Sequence, residues 1–159
     1  MYRIGDKVVH PMHGAGVIDS IVQRKVNGEQ KDYYLLNLSG ATMTVMIPTD
    51  NTNEIGVRPI ITSSEAVKVL SAMGAIEVDT TQNWNRRYRE NMVRLKSGNL
   101  LEVARVVKGL MLRDNERGLS TGERKMLHTA KQILISELVL AQGMPYDAVE
   151  RRINETLSQ

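Results

Sequence analysis

Residues 14–38 read GAGVIDSIVQRKVNGEQKDYYLLNL, two largely apolar segments on either side of Asn27–Gly28. Asn and Gly both tolerate the positive φ angles that a two-residue turn requires, so this pair is a strong hairpin signal. We expect one strand at Val17–Val22 and its partner at Asp32–Leu38. The stretch therefore predicts a β-hairpin within a β-rich N-terminal region.

Shorter strand candidates lie on both sides of this hairpin. Lys7–His10 follows a turn at Gly5–Asp6, and a second turn is expected at Ser39–Gly40. Residues 43–47 then alternate in side-chain character until Pro48, which is the period of a half-buried strand. Several short strands joined by tight turns in about 60 residues predict a small, strongly bent sheet or barrel.

The pattern becomes helical after Pro59–Ile61. Thr62 and Glu65 form a capping box ahead of the apolar stripe Ala66, Val67, Leu70 and Met73, and Gly74 ends that helix. Residues 75–82 are expected to form a connector. Caps and glycines predict four more helices, which run from Asn83 to Gly98, from Asn99 to Gly118, from Ser120 to Gly143 and from Pro145 to Leu157. We therefore expect an α+β protein with a β domain at 1–60 and a helical bundle at 61–159.

The composition is that of an ordinary globular protein, with 42% hydrophobic and 25% charged residues. The absence of cysteine excludes disulfides, cysteine-based zinc sites and thiol nucleophiles. No apolar segment typical of a signal peptide follows Met1, and no apolar run approaches the ~20 residues of a membrane span. We expect a soluble cytoplasmic protein.

The positive charge is concentrated in the helical half. Residues 1–60 hold six basic and six acidic side chains, whereas residues 84–131 hold twelve basic and five acidic ones. A neutral half joined to a basic half indicates two tasks, one of which involves a polyanion.

Enzymatic chemistry has little support in the sequence. Gly14 and Gly16 match only part of a dinucleotide-binding fingerprint and precede a strand, and His10 and His13 lack the neighbours that would complete a metal site. A catalytic triad can still assemble in space from distant residues. We expect no catalytic residue, metal, cofactor or small-molecule ligand.

Two clusters of residues are candidates for nucleic-acid contact. Trp84 lies one turn before Tyr88, where a core position is the plain interpretation, but its neighbours are Asn83, Asn85, Arg86 and Arg87. An aromatic side chain among arginines is typical of base stacking or groove wedging. Arg86 and Arg89 share a helix face away from Tyr88. The second cluster lies opposite the apolar face of the fourth predicted helix, where a solvated surface is the alternative interpretation, and consists of Arg124, Lys125, His128 and Lys131.

Four segments taken together resemble the CarD (or CdnL) family of bacterial RNA polymerase-binding transcription regulators. They are residues 4–16 (IGDKVVHPMHGAG), 28–34 (GEQKDYY), 83–88 (NWNRRY) and 113–127 (RDNERGLSTGERKML). The first segment also occurs in the polymerase-docking module of transcription-repair coupling factors. The combination, which covers nearly the whole chain, is specific to the family.

This resemblance implies a Tudor-like N-terminal domain that binds the β subunit of bacterial RNA polymerase. It implies that the helical domain contacts promoter DNA at the upstream edge of the melted bubble, where Trp84 would wedge into the minor groove. Arg86, Arg87 and Arg89 fall in the basic stretch after that Trp, and Arg124 matches a DNA-facing position. On the polymerase side the implied residues are Arg24, Thr44 and Met46, the last at a position where some relatives carry Arg.

The expected function is stabilisation of the open promoter complex by a protein that docks on polymerase and contacts DNA through the minor groove and phosphates. An alternative stays open at this point. A repressor or nucleoid-type protein that binds duplex DNA by itself would also explain the basic segment and the helical domain.

Overall fold

The computed structural model describes residues 1–40, 43–78 and 83–157. A five-stranded sheet comes first, with strands β1 (Lys7–His10), β2 (Gly14–Val26), β3 (Glu29–Leu38), β4 (Thr44–Pro48) and β5 (Arg58–Pro59). A short helix, α1 (Thr52–Ile55), separates β4 from β5. The remaining helices are α2 (Ser63–Met73), α3 (Trp84–Lys96), α4 (Leu100–Arg117), α5 (Thr121–Gln142) and α6 (Tyr146–Leu157). None of the helices in these ranges is long and apolar enough to cross a membrane.

The sheet is built around the β2–β3 hairpin. Its strand order is β4-β3-β2-β1-β5, and all neighbouring strands are antiparallel. Asn27 and Gly28 adopt φ angles of 52° and 82°, which confirms the predicted turn. Both hairpin strands are longer than expected, because the pairing continues from Gly16–Leu38 out to Val26–Glu29 past a bulge near Ser20.

The helices begin and end close to the positions that the capping residues predicted. Thr62 and Glu65 form the complete capping box, and the side chains of Asn83, Asn99 and Ser120 each accept a backbone hydrogen bond from the first turn of the helix that follows. One detail of the prediction was wrong. Val67 is 53% exposed, so the buried face of α2 is formed by Ala66 and Met73, with Val69 and Leu70 half-buried beside them. The elements α1 and β5 were not predicted.

Two separate hydrophobic cores give the α+β architecture that the sequence predicted. One face of the Tudor-like sheet buries Ile18, Tyr34, Leu36 and Ile47. A larger core lies among the helices and is centred on buried aliphatic residues of α4 and α5, such as Val107. The boundary at residues 60–61 stays a prediction, but the existence of two cores is consistent with it.

Helix α5 joins the two parts by packing against β1 and β2. The backbone N–H of Ala15 donates to Ser136 Oγ at 2.8 Å, and Gln132 Nε2 donates to the carbonyl of Ser39 at 3.2 Å. Glu137, which is fully buried, accepts two hydrogen bonds from Arg58, at 2.6 and 2.7 Å, and a third from the Ile61 N–H. The orientation of the sheet against the bundle is therefore fixed by polar contacts within a buried junction.

Candidate nucleic-acid interface

Trp84 is the first residue of α3 and is held against Tyr88. The Asn83 side chain caps the helix by accepting from the Arg86 N–H at 2.9 Å, so the chain turns into α3 directly before Trp84. The two aromatic rings stack, with centroids 5.1 Å apart and planes 17° apart. Tyr88 packs on the helical core, whereas Trp84 remains 43% exposed. The ring thus has a supported position and a surface that another molecule could contact.

Arg86 and Arg89 lie on the exposed surface of α3. Arg86 Nε donates to Glu90 Oε1 at 3.1 Å, one turn along the helix, and its side chain is 63% exposed. Arg89 has no hydrogen bond or ion pair within the described part of the chain. An exposed i,i+4 ion pair is worth only a few tenths of a kcal/mol, so Arg86 could exchange Glu90 for a phosphate at little cost.

Arg87, which the sequence grouped with its neighbours, has a different environment. Its Nε and Nη2 atoms donate to Glu123 Oε2 at 3.2 and 3.0 Å, and its side chain is mostly buried. The guanidinium therefore connects α3 to the start of α5. Its role in DNA contact stays a prediction.

Glu123 is the centre of this connection, and no motif in the sequence marked it as a contact residue. Its backbone N–H donates to Ser120 Oγ, and its carboxylate also lies 3.5 Å from Arg113 Nε of α4. Burial alone would raise the pKa of this carboxyl, but the hydrogen bond and charge of Arg87, the charge of Arg113 and the Ser120 contact together hold it below its ordinary value. A signal was available, because Glu123 falls on the same helical stripe as the buried Met126 and Ala130.

The basic residues of α5 follow immediately. Arg124, Lys125 and His128 are exposed and Lys131 is half-buried, and Arg124 Nη2 donates to the carbonyl of Leu119 at 3.2 Å. A side-chain carbon placed at Gly122 would lie 3.9 Å from Tyr88 Cε2, so the start of α5 adjoins the Trp84–Tyr88 stack. The structure thus brings the beginning of the second predicted cluster next to the first, although the two are separated by a whole helix in sequence.

The residues implied for polymerase contact lie on the sheet. Thr44 and Met46 are exposed on β4, which is an edge strand, and Met46 is opposite Leu35 of β3. Arg24 is exposed on β2, and its only described hydrogen bond goes to the carbonyl of Gln23. An exposed edge strand is able to accept a further strand from a partner.

His10 and His13 are close to each other in the turn after β1. Their ring centroids are 4.5 Å apart, and His10 Nδ1 accepts the N–H of Met12 at 3.1 Å. Burial, with a smaller contribution from His13, lowers the pKa of His10 to about 4, so the ring is neutral at physiological pH. Within residues 1–40, 43–78 and 83–157, no three His, Cys, Asp or Glu side chains are grouped so that they could hold a metal ion.

Comparisons with known proteins cover both parts of the chain. Residues 2–61 match the family model described as "CarD-like/TRCF RID domain", and residues 68–154 match the model described as "CarD, C-terminal domain". The chain is also similar to the "Putative transcription factor YdeB" of Bacillus subtilis (strain 168), at 37% identity over 144 residues, which is 91% of this chain and 94% of that protein. With both family models matched in order and this relative aligned over nearly its full length, the chain belongs to the CarD family and is a CarD-like transcription factor.

Proposed function

We propose that the protein docks on the β subunit of RNA polymerase through residues 1–60 and contacts promoter DNA through residues 61–159. In this proposal Trp84 wedges into the minor groove at the upstream edge of the melted bubble and stabilises the open complex. The observation that carries it is the exposed Trp84 ring, supported by Tyr88 and bordered by Arg86 and Arg89. We also propose that the protein acts in the cytoplasm, without enzymatic activity and without a cofactor.

The mechanism is a shift of an equilibrium. Unstacking one base step costs a few kcal/mol, and that cost has already been met at the edge of a melted bubble. A ring that inserts there binds the open state better than the closed duplex, and the open complex is favoured by that difference in affinity. The stack with Tyr88 holds the Trp84 ring in place beforehand, so little side-chain freedom is lost on insertion.

The DNA contacts of the proposal are few. Arg86, Arg89, Arg124 and Lys125 are exposed and suited to phosphates, with His128 and Lys131 further along α5. A small number of phosphate contacts gives weak, salt-dependent binding on its own. Docking of Arg24, Thr44 and Met46 on polymerase would supply the remaining affinity by raising the local concentration of the helical domain at the promoter.

The lifetime of open complexes on a bacterial ribosomal promoter tests the proposal. Addition of the protein to polymerase from its own organism should lengthen that lifetime. Trp84→Ala should abolish the effect while binding to polymerase is retained, because the sheet is unchanged. Val67→Ala, which truncates an exposed apolar side chain on α2, is the matched control and should behave as the wild type. If Trp84→Ala lengthened the open-complex lifetime as much as the wild type does, the wedge would be refuted.

Fluorescence distinguishes the alternative of a stand-alone duplex binder. Trp84 is the only Trp in the chain, so the emission of the free protein reports its environment directly. We expect quenching by forked DNA and little change with a fully paired duplex. Tight, sequence-dependent binding to bare duplex would favour the stand-alone repressor or nucleoid protein.

A further inference from the structure

A cavity of about 460 Å³ lies where α3 and α4 approach the segment that follows α2. Among the residues that the structure describes, five arginines line it, two from α3 and three from α4, against two glutamates. The arginines are Arg87, Arg94, Arg105, Arg113 and Arg117. The volume falls in the range of small-molecule sites, about 300–1,000 Å³. This concentration of guanidinium groups in a concave site was not expected from the sequence, which predicted no small-molecule ligand.

The helix geometry explains how the cavity forms. Arg105, Gly109, Arg113 and Arg117 recur at intervals of four and therefore form one stripe along α4. Glycine is less favourable than alanine inside a helix, so Gly109 is an unfavourable choice for helix stability alone. Its absent side chain leaves space between neighbouring arginines, and the nearest atom to an added Cβ would be Val78 Cγ1 at 3.7 Å.

Carboxylates hold most of these arginines by the Nε atom. Glu123 contacts Arg87 Nε at 3.2 Å and Arg113 Nε at 3.5 Å. Glu102 contacts Arg94 Nε at 3.3 Å and Arg105 Nε at 3.7 Å. Neither glutamate is among the residues that line the cavity. These four arginine side chains are therefore ordered from outside the cavity.

Several terminal guanidinium nitrogens of these arginines have no such carboxylate partner. In the part of the chain that the structure describes, the two Nη atoms of Arg113 and the whole guanidinium of Arg117 have no hydrogen-bond or ion-pair partner. Arg113 Nε is buried and donates no hydrogen bond within the described part of the chain, although Glu123 Oε1 lies 3.5 Å away. Guanidinium groups form paired, charge-assisted hydrogen bonds with phosphate oxygens, and ordered ones lose less entropy in doing so.

We propose that this cavity binds a small anion with two or more phosphate groups. Among the described residues of the lining, five arginines against two glutamates leave an excess of positive charge, and Arg113 and Arg117, one helical turn apart on α4, can each meet a different phosphate. Duplex DNA is a poorer occupant, because the exposed Arg86 and Arg89 of α3 line a second, more open depression, which adjoins the cavity at Arg94 and offers DNA a surface outside it. The proposal goes beyond transcription-complex binding and does not depend on the Trp84 wedge.

Calorimetric titration of the full chain with inorganic pyrophosphate at low ionic strength tests this site. We expect saturable one-to-one binding that Arg117→Ala weakens roughly tenfold, because the variant removes one group that forms charge-assisted hydrogen bonds with phosphate. Arg151→Ala removes the same charge from an exposed position on α6 and should leave the affinity unchanged. Gly109→Leu keeps every charge but fills part of the cavity, and it should also weaken binding.

Three results would overturn the proposal. The first is the absence of saturable binding at millimolar pyrophosphate. The second is an equal loss of affinity in Arg117→Ala and Arg151→Ala, which would indicate general charge attraction. The third is competitive displacement of pyrophosphate by duplex DNA, which would assign the arginines to the DNA surface. Trp84→Ala should bind pyrophosphate normally, so failure of the wedge and failure of the cavity are separate outcomes.

Discussion

Two glutamates on α5 hold the molecule together at opposite ends of that helix, and they do so in different ways. Glu137 is fully buried and is bound by Arg58 from the sheet and by the Ile61 N–H. Glu123 lies in the first turn and divides its carboxylate between Arg87 of α3 and Arg113 of α4. They are fourteen residues apart, or about 21 Å along the helix axis.

The difference concerns what remains available to other molecules. Arg58 donates to both carboxylate oxygens of Glu137 and also to the carbonyl of Pro59, so the junction with the sheet is closed. Arg113 contacts Glu123 only through Nε, and its terminal nitrogens stay available beside the cavity. A buried carboxylate can thus either complete a structural contact or orient arginines for a further partner, depending on which guanidinium nitrogens it occupies.

The largest expected effect is at the closed junction. Arg58→Leu should lower the free energy of unfolding by about 3–5 kcal/mol, because it leaves the Glu137 carboxylate buried without its cation. Urea denaturation measures the change. The double variant Arg58→Leu/Glu137→Leu should recover much of the loss, since an apolar pair is tolerated there once neither charge is present. A loss below about 1 kcal/mol for the single variant would show that the pair contributes little.

A smaller effect is expected where the sheet touches α5. Gly14 has φ of 104°, and an added Cβ would lie 2.6 Å from Ser136 Oγ and 3.2 Å from the Gln132 carbonyl oxygen. Gly14→Ala should therefore cost about 3 kcal/mol, from backbone strain and overpacking together. Gly5→Ala is the matched control, because Gly5 has φ of 94° with nothing within 4 Å, and it should cost about 1 kcal/mol. Equal losses in thermal unfolding would argue against a tight junction.

The smallest effect is expected at Glu123 and depends on pH. Its pKa is lower in the folded protein than in the unfolded chain, so its ionised form stabilises the fold at neutral pH and that contribution is lost as pH falls through the folded-state pKa. Glu123→Gln should cost about 1–2 kcal/mol at pH 7. The difference in unfolding free energy between the variant and the wild type should become smaller at pH values below the ordinary pKa range of carboxyl groups. A difference that stays constant in acid would mean that the charge of Glu123 is not what matters.

Local chemistry made much of the fold predictable. The Asn27–Gly28 turn and the caps Thr62, Asn99 and Ser120 act within a few residues, so the sequence shows them directly. The elements α1 and β5 were missed because each is short and formed by contacts with distant segments; β5 pairs with β1 across almost fifty residues. Val67 fits the periodicity of α2 but faces solvent, because the neighbouring helices do not reach that side.

In the candidate site, too, local features could be predicted from the sequence and contacts with distant residues could not. The start of α3 at Trp84, and its shared face with Tyr88, followed from the cap and the helical spacing. The separation of Arg87 from Arg86 and Arg89 did not, because it depends on Glu123, which is 36 residues further along the chain. Both Glu123 and Glu137 interrupt the apolar stripe of α5, and a charged residue in such a stripe indicates a buried partner without saying which one.

The continuity of α5 sets a fixed spacing within the molecule. Residues near 132–137 of α5 contact the sheet, and Glu123 of the same helix binds Arg87 of α3. No loop lies between these two positions. One residue inserted in that interval would move one end by 1.5 Å and rotate it by about 100° relative to the other. Trp84 would then face a different direction, and the buried residues of α5 on one side of the insertion would be turned out of the helical core. Length variation in this protein should therefore be tolerated at the hairpin tip and excluded from the middle of one helix.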